Sequence, residues 1–448
     1  MTILRKFFLF GMAAQVCGAD FLSLDHASIG IYATRSKGEK PLVDQGGDLS
    51  LVPSSCMKIV TTAAALHLLG PKHRFETLLE TSGSLIEEGI LHGNLYIRGG
   101  GDPCLGSGRV AGSLPWVEQI RAWADAVEKL GIRKIEGRVL GDAGLWEKAL
   151  APPSWSWEDL GNYYGAGASA LSFHENRYRL VFKPGKKAGD AAAICRTDPP
   201  LPHLSIRNEV KTGPAGSGDQ ACIYGSEFSW LQFVRGTVPA AVEEFAIQGA
   251  IPDPAETCAG LLAEELLRRG IAVEGNMIAG EGRRVPFHTT FSPIVQEIVH
   301  WTNRESVNLY AEHLLKHMGM HSFKEGSTEA GIRAVMTFWE SQGIDLSGFQ
   351  MVDGSGLSRK NLATAKCLVE LLLKMREAIF FGAFVESLPE PEKGIRAKSG
   401  SMSLMKGYAG YTGDTAFAVL VNQCKDRKAL QEGVRSALFK IGALKKEL

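Results

Sequence analysis

The stretch Pro53-Ser54-Ser55-Cys56-Met57-Lys58, continued by the apolar, alanine-rich run Ile59 to Leu69 and stopped by Gly70-Pro71, has the grammar of one helix with a marked start and a marked end. Proline and serine favour a helix entry, and a Gly-Pro pair closes one. Ser55 is therefore expected in the first turn, with Lys58 three residues on, on the same face and within reach of the serine hydroxyl. A serine hydroxyl becomes a nucleophile when a neighbouring base takes its proton, and a lysine serves as that base only when its ammonium is destabilised. The partly positive helix N-terminus, burial and a second nearby cation all push that way, and the orphan N–H groups of the first turn can hold a developing oxyanion. The pair points to acyl transfer through a serine ester. The motif S-x-x-K is short, however, and Ser403-Leu404-Met405-Lys406 matches it too, although Gly407 and Gly410 follow there where a helix should propagate. The rest of the chain has to decide.

With 448 residues, 45% of them hydrophobic, the chain can build two or three cores without disulfide staples. Basic and acidic residues both number 49 and no long basic run occurs, so nucleic acid is not an expected partner. Arg5-Lys6, the apolar run Phe7 to Ala14 and small residues up to Gly18-Ala19 resemble a secretory signal peptide over residues 1–19. That run is too short to span a bilayer, and no later apolar stretch reaches the roughly 18 residues a spanning helix needs, so a soluble, exported (periplasmic) protein is expected. Cys17 follows Val16, a poor residue for lipoprotein cleavage. The other seven of the eight cysteines are scattered without zinc spacing, which leaves at least one free thiol or an intermolecular pair. A basic helix end explains the C-terminal Lys445-Lys446-Glu447-Leu448 better than a retention tail.

Along the chain, Ala27 to Thr34 and Leu42-Val43 read as a hairpin leading into the Ser55 helix. Leu91 to Arg98 reads as one strand ending in Gly99-Gly100-Gly101-Asp102-Pro103, a tight turn and not a phosphate loop, because no Gly-Lys-Ser/Thr follows and Pro103 blocks a helix. Leu114 to Leu130 is an amphipathic helix followed by a strand over Gly131–Gly137, and Thr257 to Arg269 with Gly270–Gly275 echoes it weakly. Between them Trp155, Trp157, Asp159, Tyr163 and Tyr164 form an aromatic and acidic loop suited to a ligand or to half-buried packing. Ser306 and Asn308, two apart, can share a cleft only from a turn or an extended bend, with Val307 pointing away. His313 and His317 have metal spacing but no Glu between them and no third ligand, so no metal or other cofactor is expected. Cys56 is conceivable as a thiol nucleophile at a helix start, but no histidine base stands near it in sequence. Asp353-Gly354-Ser355-Gly356 is a polar glycine loop before further helices. Strands over Ile395–Ser401, Tyr408–Tyr411 and Ala416–Val421 and a helix over Arg427–Ile441 close the chain. Strands at both ends with helices between them predict an α+β fold, one antiparallel sheet assembled from the two chain ends.

Taken together, Ser55-x-x-Lys58, Ser306-x-Asn308 and Lys398-Ser399-Gly400, in that order, resemble the three motifs of penicillin-binding proteins and serine β-lactamases. The long insert between the first and second motifs is similar to that of the class C low-molecular-mass penicillin-binding proteins, the D-alanyl-D-alanine carboxypeptidase/endopeptidase family. The Gly99–Pro103, Tyr164–Ala166, Ser306–His313 and Asp353–Arg359 segments resemble that family too. The resemblance implies a transpeptidase-like domain from residues 20–79 and 285–448, with residues 80–284 forming one or two nested α/β domains. It implies Ser55 as nucleophile, Lys58 as its base and Ser306 as proton donor to the departing amine. Asn308, Lys398, Ser399, Gly400 and Ser401 would bind substrate, the N–H groups of Ser55 and Ser401 forming the oxyanion hole. Arg359, Trp157 and Asp159 would meet a charged peptide side chain such as diaminopimelate. The implied partners are peptidoglycan stem peptides and β-lactams as acylating inhibitors, with peripheral membrane or homo-oligomeric association left open. Val307 replaces the commoner acidic residue of the second motif and Ser399 the threonine of the third. The alternatives are a serine β-lactamase or esterase of the same fold, against which the large insert argues, and a non-catalytic peptidoglycan-binding protein, against which the intact motifs argue.

Overall fold

The structure, a computed structural model, describes residues 21–82, 84–276 and 283–444. The expected signal segment and the last four residues lie outside these.

A five-stranded antiparallel sheet runs in the order Ile395–Met402, Met405–Thr412, Thr415–Asn422, Ser28–Thr34, Val43–Gln45, so the two ends of the chain close on each other in mid-sheet. The joint is a seven-residue register from Ser28 opposite Asn422 to Thr34 opposite Ala416. Thr415–Asn422 is buried at every position because both its faces are covered, which is why it reads as an unbroken apolar run rather than an alternation. Phe417, Val419 and Val421 meet Leu430, Val434, Leu438 and Ile441 of the C-terminal helix Arg427–Ala443. Asp426 caps that helix by accepting from the N–H groups of Lys428 and Ala429. Ala416, Ala418 and Leu420 face the larger core, where helices Met57–Leu68, Val295–Arg304, Asn308–Phe323, Thr328–Ser341 and Ala365–Met375 assemble. Helix Met57–Leu68 lies inside that assembly with its first ten residues all buried, and its small alanines allow neighbours on every side.

The chain leaves this body at Phe75 and returns at Ser292, where the two crossings are tied: Phe75 N–H donates to Ser292 Oγ and Ser292 N–H to Phe75 O, both at 2.9 Å. Strands Glu76–Thr81 and Val285–Phe291 pair antiparallel just beyond the tie. The intervening chain adds two mixed four-stranded sheets with helices Trp116–Lys129 and Pro254–Arg268, then a pair of three-stranded sheets around Tyr178, Phe182, Ile223 and Val234.

Two sequence expectations change here. Leu91–Arg98 is not one strand. It breaks at Gly93-Asn94 into Ile90–His92 and Leu95–Arg98, which belong to different sheets. The buried Asn94 side chain holds the jog, accepting from Arg138 N–H at 2.9 Å and donating to the Tyr96 hydroxyl at 3.1 Å. The strands expected over Gly131–Gly137 and Gly270–Gly275 shrink to Lys134–Ile135 and Ala272–Val273, and these two pair parallel. The weak internal echo is thus a spatial pair of helix–strand units sharing the core of Trp123, Val127, Leu262 and Leu266.

Candidate active site

Ser55 sits at the centre of a single 3₁₀ turn, Ser54–Cys56, that feeds directly into helix Met57–Leu68. The tighter turn differs from the expected first α-turn, and Cys56 N–H closes it onto Pro53 O at 3.1 Å. Lys58 is fully buried beneath it. Its Nζ lies 3.1 Å from Ser55 Oγ, 2.6 Å from Asn308 Oδ1 and 2.7 Å from Ser355 O. As an ammonium, Lys58 donates to all three. As a neutral amine it has two N–H groups for the two carbonyl-type oxygens, and its lone pair faces the Ser55 hydroxyl. The Asn308 amide is oriented for this, since its Nδ2 donates to Tyr164 O at 2.8 Å and so leaves Oδ1 for Lys58.

Electrostatics favour the neutral form. Burial and then the charge of Lys398 bring the Lys58 pKa down from 10.5 to about 7, against the pull of Asp353 and Glu312. Lys398, 1% exposed on edge strand Ile395–Met402, is lowered by burial to about 8. Because Lys58 loses its proton first, Lys398 titrates beside a neutral amine and feels no reciprocal repulsion. Over the interval between the two, the site holds a neutral base and a cation side by side.

The edge strand reaches the nucleophile turn because of Gly400. A Cβ there would stand 2.5 Å from Pro53 O and 3.0 Å from Ser55 N, so any other residue would push the strand away. The Cys56 thiol donates to Lys398 O at 3.4 Å across the same seam. Burial pushes that thiol up to about 12, which leaves it a protonated packing group and no rival nucleophile.

Ser306 takes a left-handed φ of 58° between helices Val295–Arg304 and Asn308–Phe323, and both Ser306 and Asn308 line one cleft of about 610 Å³ with Ser55. The left-handed turn at Ser306 is one of the two geometries expected, strand-like alternation does not apply across it, and Val307 lines the cleft as well instead of pointing away. Ser401, Met402, Asp159, Tyr164 and Arg359 complete this side of the wall. Asp159 is raised in pKa by burial and then by Glu158. Arg359, half exposed, stands 4.0 Å from Glu158. Five expected residues are not on the cleft wall, and three of them, Lys58, Lys398 and Gly400, are buried. Trp157 is exposed and packs at a tilt on Tyr224 at 4.8 Å between centroids, and Ser399 is half-buried outside the lining, although Ser401, two residues on along the strand, belongs to it.

Sequence reasoning missed the frame that holds Lys58. Glu312 is buried one turn after Asn308 and accepts from Gly354 N–H at 3.1 Å and Ser355 N–H at 2.8 Å. Asp353, fully buried, accepts from Gly356 N–H (2.8 Å), Ser358 N–H (2.6 Å), Asn361 Nδ2 (2.7 Å) and Trp155 Nε1 (2.8 Å). Together they fix the carbonyl of Ser355 that Lys58 needs. The i, i+4 spacing of Asn308 and Glu312 was the available signal for the first of them. His313 and His317 are structural: Nδ1 of one and Nε2 of the other donate to Gly101 O at 2.8 and 2.9 Å, and burial lowers both pKa values, the first to about 3. Among the described residues no group of three or more His, Cys, Asp or Glu could hold a metal ion, and no helix is long and apolar enough to cross a membrane.

Comparison with known proteins bears on the family and the fold. Residues 15–440 match the model of the D-Ala-D-Ala carboxypeptidase 3 (S13) family. The chain is 27% identical over 439 residues to a D-alanyl-D-alanine carboxypeptidase of an Actinomadura species, covering 89% of this chain and 78% of that one. It is 24% identical to D-alanyl-D-alanine carboxypeptidase DacB of Haemophilus influenzae, covering 77% and 70%. Among solved structures it superposes on penicillin binding protein 4 (dacB) from Haemophilus influenzae with a TM-score of 0.79 at 20% identity, over 94% of this chain and 98% of that one, a likeness of fold. A second structure of that protein, complexed with a novel β-lactam, gives a TM-score of 0.73 at 21% identity over 93% and 97% of the two chains. With a match of this extent, the chain belongs to the D-Ala-D-Ala carboxypeptidase 3 (S13) family of serine hydrolases.

Proposed function

We propose that Ser55 is the nucleophile of an exported D,D-peptidase that cleaves the D-Ala-D-Ala bond of peptidoglycan stem peptides, or the D-Ala-diaminopimelate cross-link, and that β-lactams acylate the same hydroxyl. The observation that carries the reading is the threefold environment of Lys58 Nζ, two carbonyl-type acceptors and one serine hydroxyl within 3.1 Å, in a fully buried position.

Lys58, neutral, takes the Ser55 proton as Oγ bonds to the carbonyl carbon between the two D-alanines. The oxyanion formed is held by the backbone N–H groups of Ser55 and Ser401, a kind of contact worth roughly 3 kcal/mol of barrier per donor. The C–N bond then breaks, and the proton passes from Lys58 through Ser306 to the departing amine. Asn308 holds the substrate amide, and Lys398 attracts the terminal carboxylate of the substrate. Water finally attacks the Ser55 ester and returns the proton to the hydroxyl.

The two lysines set the pH dependence. Activity needs Lys58 without its proton and Lys398 with one. As pH rises through about 7, Lys58 becomes a base, and as it rises through about 8, Lys398 loses its charge. We expect kcat/KM for a D-Ala-D-Ala peptide to follow a narrow bell between those limits. In Lys398→Ala the alkaline limb should vanish and the acid limb should move to higher pH, because the repelling cation is gone. A flat profile from pH 6 to 9 would remove Lys58 from the role of base.

A fluorescent penicillin tests the reading as a whole: intact protein is expected to take one label and to release it slowly. Rapid release would move the protein to the β-lactamases, and absence of label would leave only a binding role.

A further inference from the structure

The cleft wall also carries a cluster with no part in the steps above. Glu175, with a side chain 4% exposed, is bracketed by two guanidiniums: Arg109 Nε at 3.0 Å and Arg177 Nη2 at 3.2 Å. Its oxygens also accept from Ser107 Oγ at 2.5 Å and the Tyr310 hydroxyl at 2.8 Å. Arg177 Nη1 donates to Gln248 Oε1 at 3.2 Å. Holding the carboxylate there requires three consecutive left-handed residues, His174, Glu175 and Asn176, with φ of 52°, 55° and 50°. Each is a conformation that L residues rarely adopt, and such runs persist where surrounding contacts over-determine them. Arg109, Glu175, Arg177 and Gln248 all line the same cleft as Ser55.

Two cations share one carboxylate and one neutral amide, so the cluster carries an excess positive charge toward the cleft. Both arginine side chains remain about a quarter exposed, at 25% and 22%. Glu305, the other carboxylate on this side, is exposed at the rim, where water screens it. The cluster is anchored to the two helices that flank Ser306. Tyr310 belongs to the helix that begins at Asn308, and Arg109 lies over the ring of Trp301 at 6.0 Å on the helix that ends at Arg304. Asp159, Tyr164 and Arg359 come from other segments of the wall. If Ser306 hands the proton to the departing amine, the part of the substrate that leaves lies on its side.

We propose that Arg109 and Arg177 form a subsite for a carboxylate in the departing half of a cross-linked stem-peptide dimer, with Glu175 as the buried counter-charge that keeps the two guanidiniums together. This rests on the D,D-peptidase reading. A lone D-alanine leaving group is too short to need such a site, whereas the departing stem of a cross-link carries further carboxylates.

The test compares Arg177→Ala and Arg177→Lys with the parent on a cross-linked muropeptide dimer, a single-stem pentapeptide and benzylpenicillin, with thermal melting to show that each variant folds. Arg177→Ala is expected to lower kcat/KM for the dimer by roughly ten- to a hundredfold, mainly through KM, as for a lost charge-assisted hydrogen bond. The pentapeptide and the penicillin should react at rates within about twofold of the parent, and Arg177→Lys should recover much of the dimer activity. An equal fall for dimer and pentapeptide would assign the pair to the acyl half or to the fold and overturn the proposal, as would no change for either, or a variant that does not fold alongside a Lys variant indistinguishable from Ala. Should the parent cleave neither peptide nor take penicillin, the D,D-peptidase reading itself falls, and the subsite with it.

Discussion

Replacing Ser55 with alanine should leave a folded protein that forms no covalent adduct with a penicillin and hydrolyses a D-Ala-D-Ala peptide slower by roughly 10⁴-fold or more. The size of the loss follows from the absence of a substitute. Cys56, the adjacent sulfur, is fully buried and pushed up to about 12, and Ser54 is buried beside it in a left-handed conformation, φ 49°. Stability should change little, by about 1 kcal/mol, because the substitution removes one hydroxyl contact while Lys58 keeps Asn308 Oδ1 and Ser355 O. Stopped-flow acylation together with a thermal melt of the same sample separates the two effects. A variant that still acylates at the parental rate would place the chemistry elsewhere.

The second large effect is expected at a residue that touches no substrate. Asp353→Ala removes an acceptor shared by Gly356 N–H, Ser358 N–H, Asn361 Nδ2 and Trp155 Nε1, all in the interior. Four donors left without a partner in a dry site cost about 3–5 kcal/mol, within the range of broken buried networks. The melting midpoint of the domain should fall by roughly 10 °C. Activity should fall as well at temperatures where the variant is still folded, because the 353–361 loop presents Ser355 O to Lys58. Asp353→Asn keeps one acceptor oxygen but turns an amide N–H₂ toward two of the donors, so an intermediate loss is expected. A variant with unchanged stability and normal acylation would show that this loop does not hold the base. Gly356 makes the same point sterically: its φ is +79°, and a Cβ would meet Ser54 O at 1.9 Å.

Much of the fold was legible because its signals are local or sit at the chain ends. The helix with Ser55 and Lys58, the C-terminal strands and the terminal helix all announced themselves by period, capping and glycine stops. Their assembly into one sheet followed from strands standing at both ends of the chain with helices between them. What was hidden is what depends on contacts between distant segments. The jog at Asn94 is fixed by Arg138 and Tyr96, and nothing within Leu91–Arg98 marks it. The aromatic loop with Trp157 suited a ligand or half-buried packing, and the family resemblance implied a ligand contact, whereas its ring lies against Tyr224. The three motifs named Ser55, Lys58, Ser306, Asn308 and Lys398, yet the means of their convergence were unreadable. Glu312 looks like any helix glutamate until two loop N–H groups are seen to point at it. Gly400 looks like any strand glycine until the Ser55 turn is found against it. The cluster of Arg109, Glu175 and Arg177 joins segments with no motif at all, and only folding brings those charges to the same cleft.

All of this rests on one hydroxyl being activated by one buried amine at the floor of the cleft. The most direct measurement is mass spectrometry of the intact protein after exposure to benzylpenicillin, followed by digestion and fragmentation of the modified peptide. A single adduct is expected on the peptide carrying residues 53–58, with fragment ions assigning it to Ser55. An adduct on Ser54, Cys56 or Ser403, or no adduct on protein shown to be folded, would contradict the account.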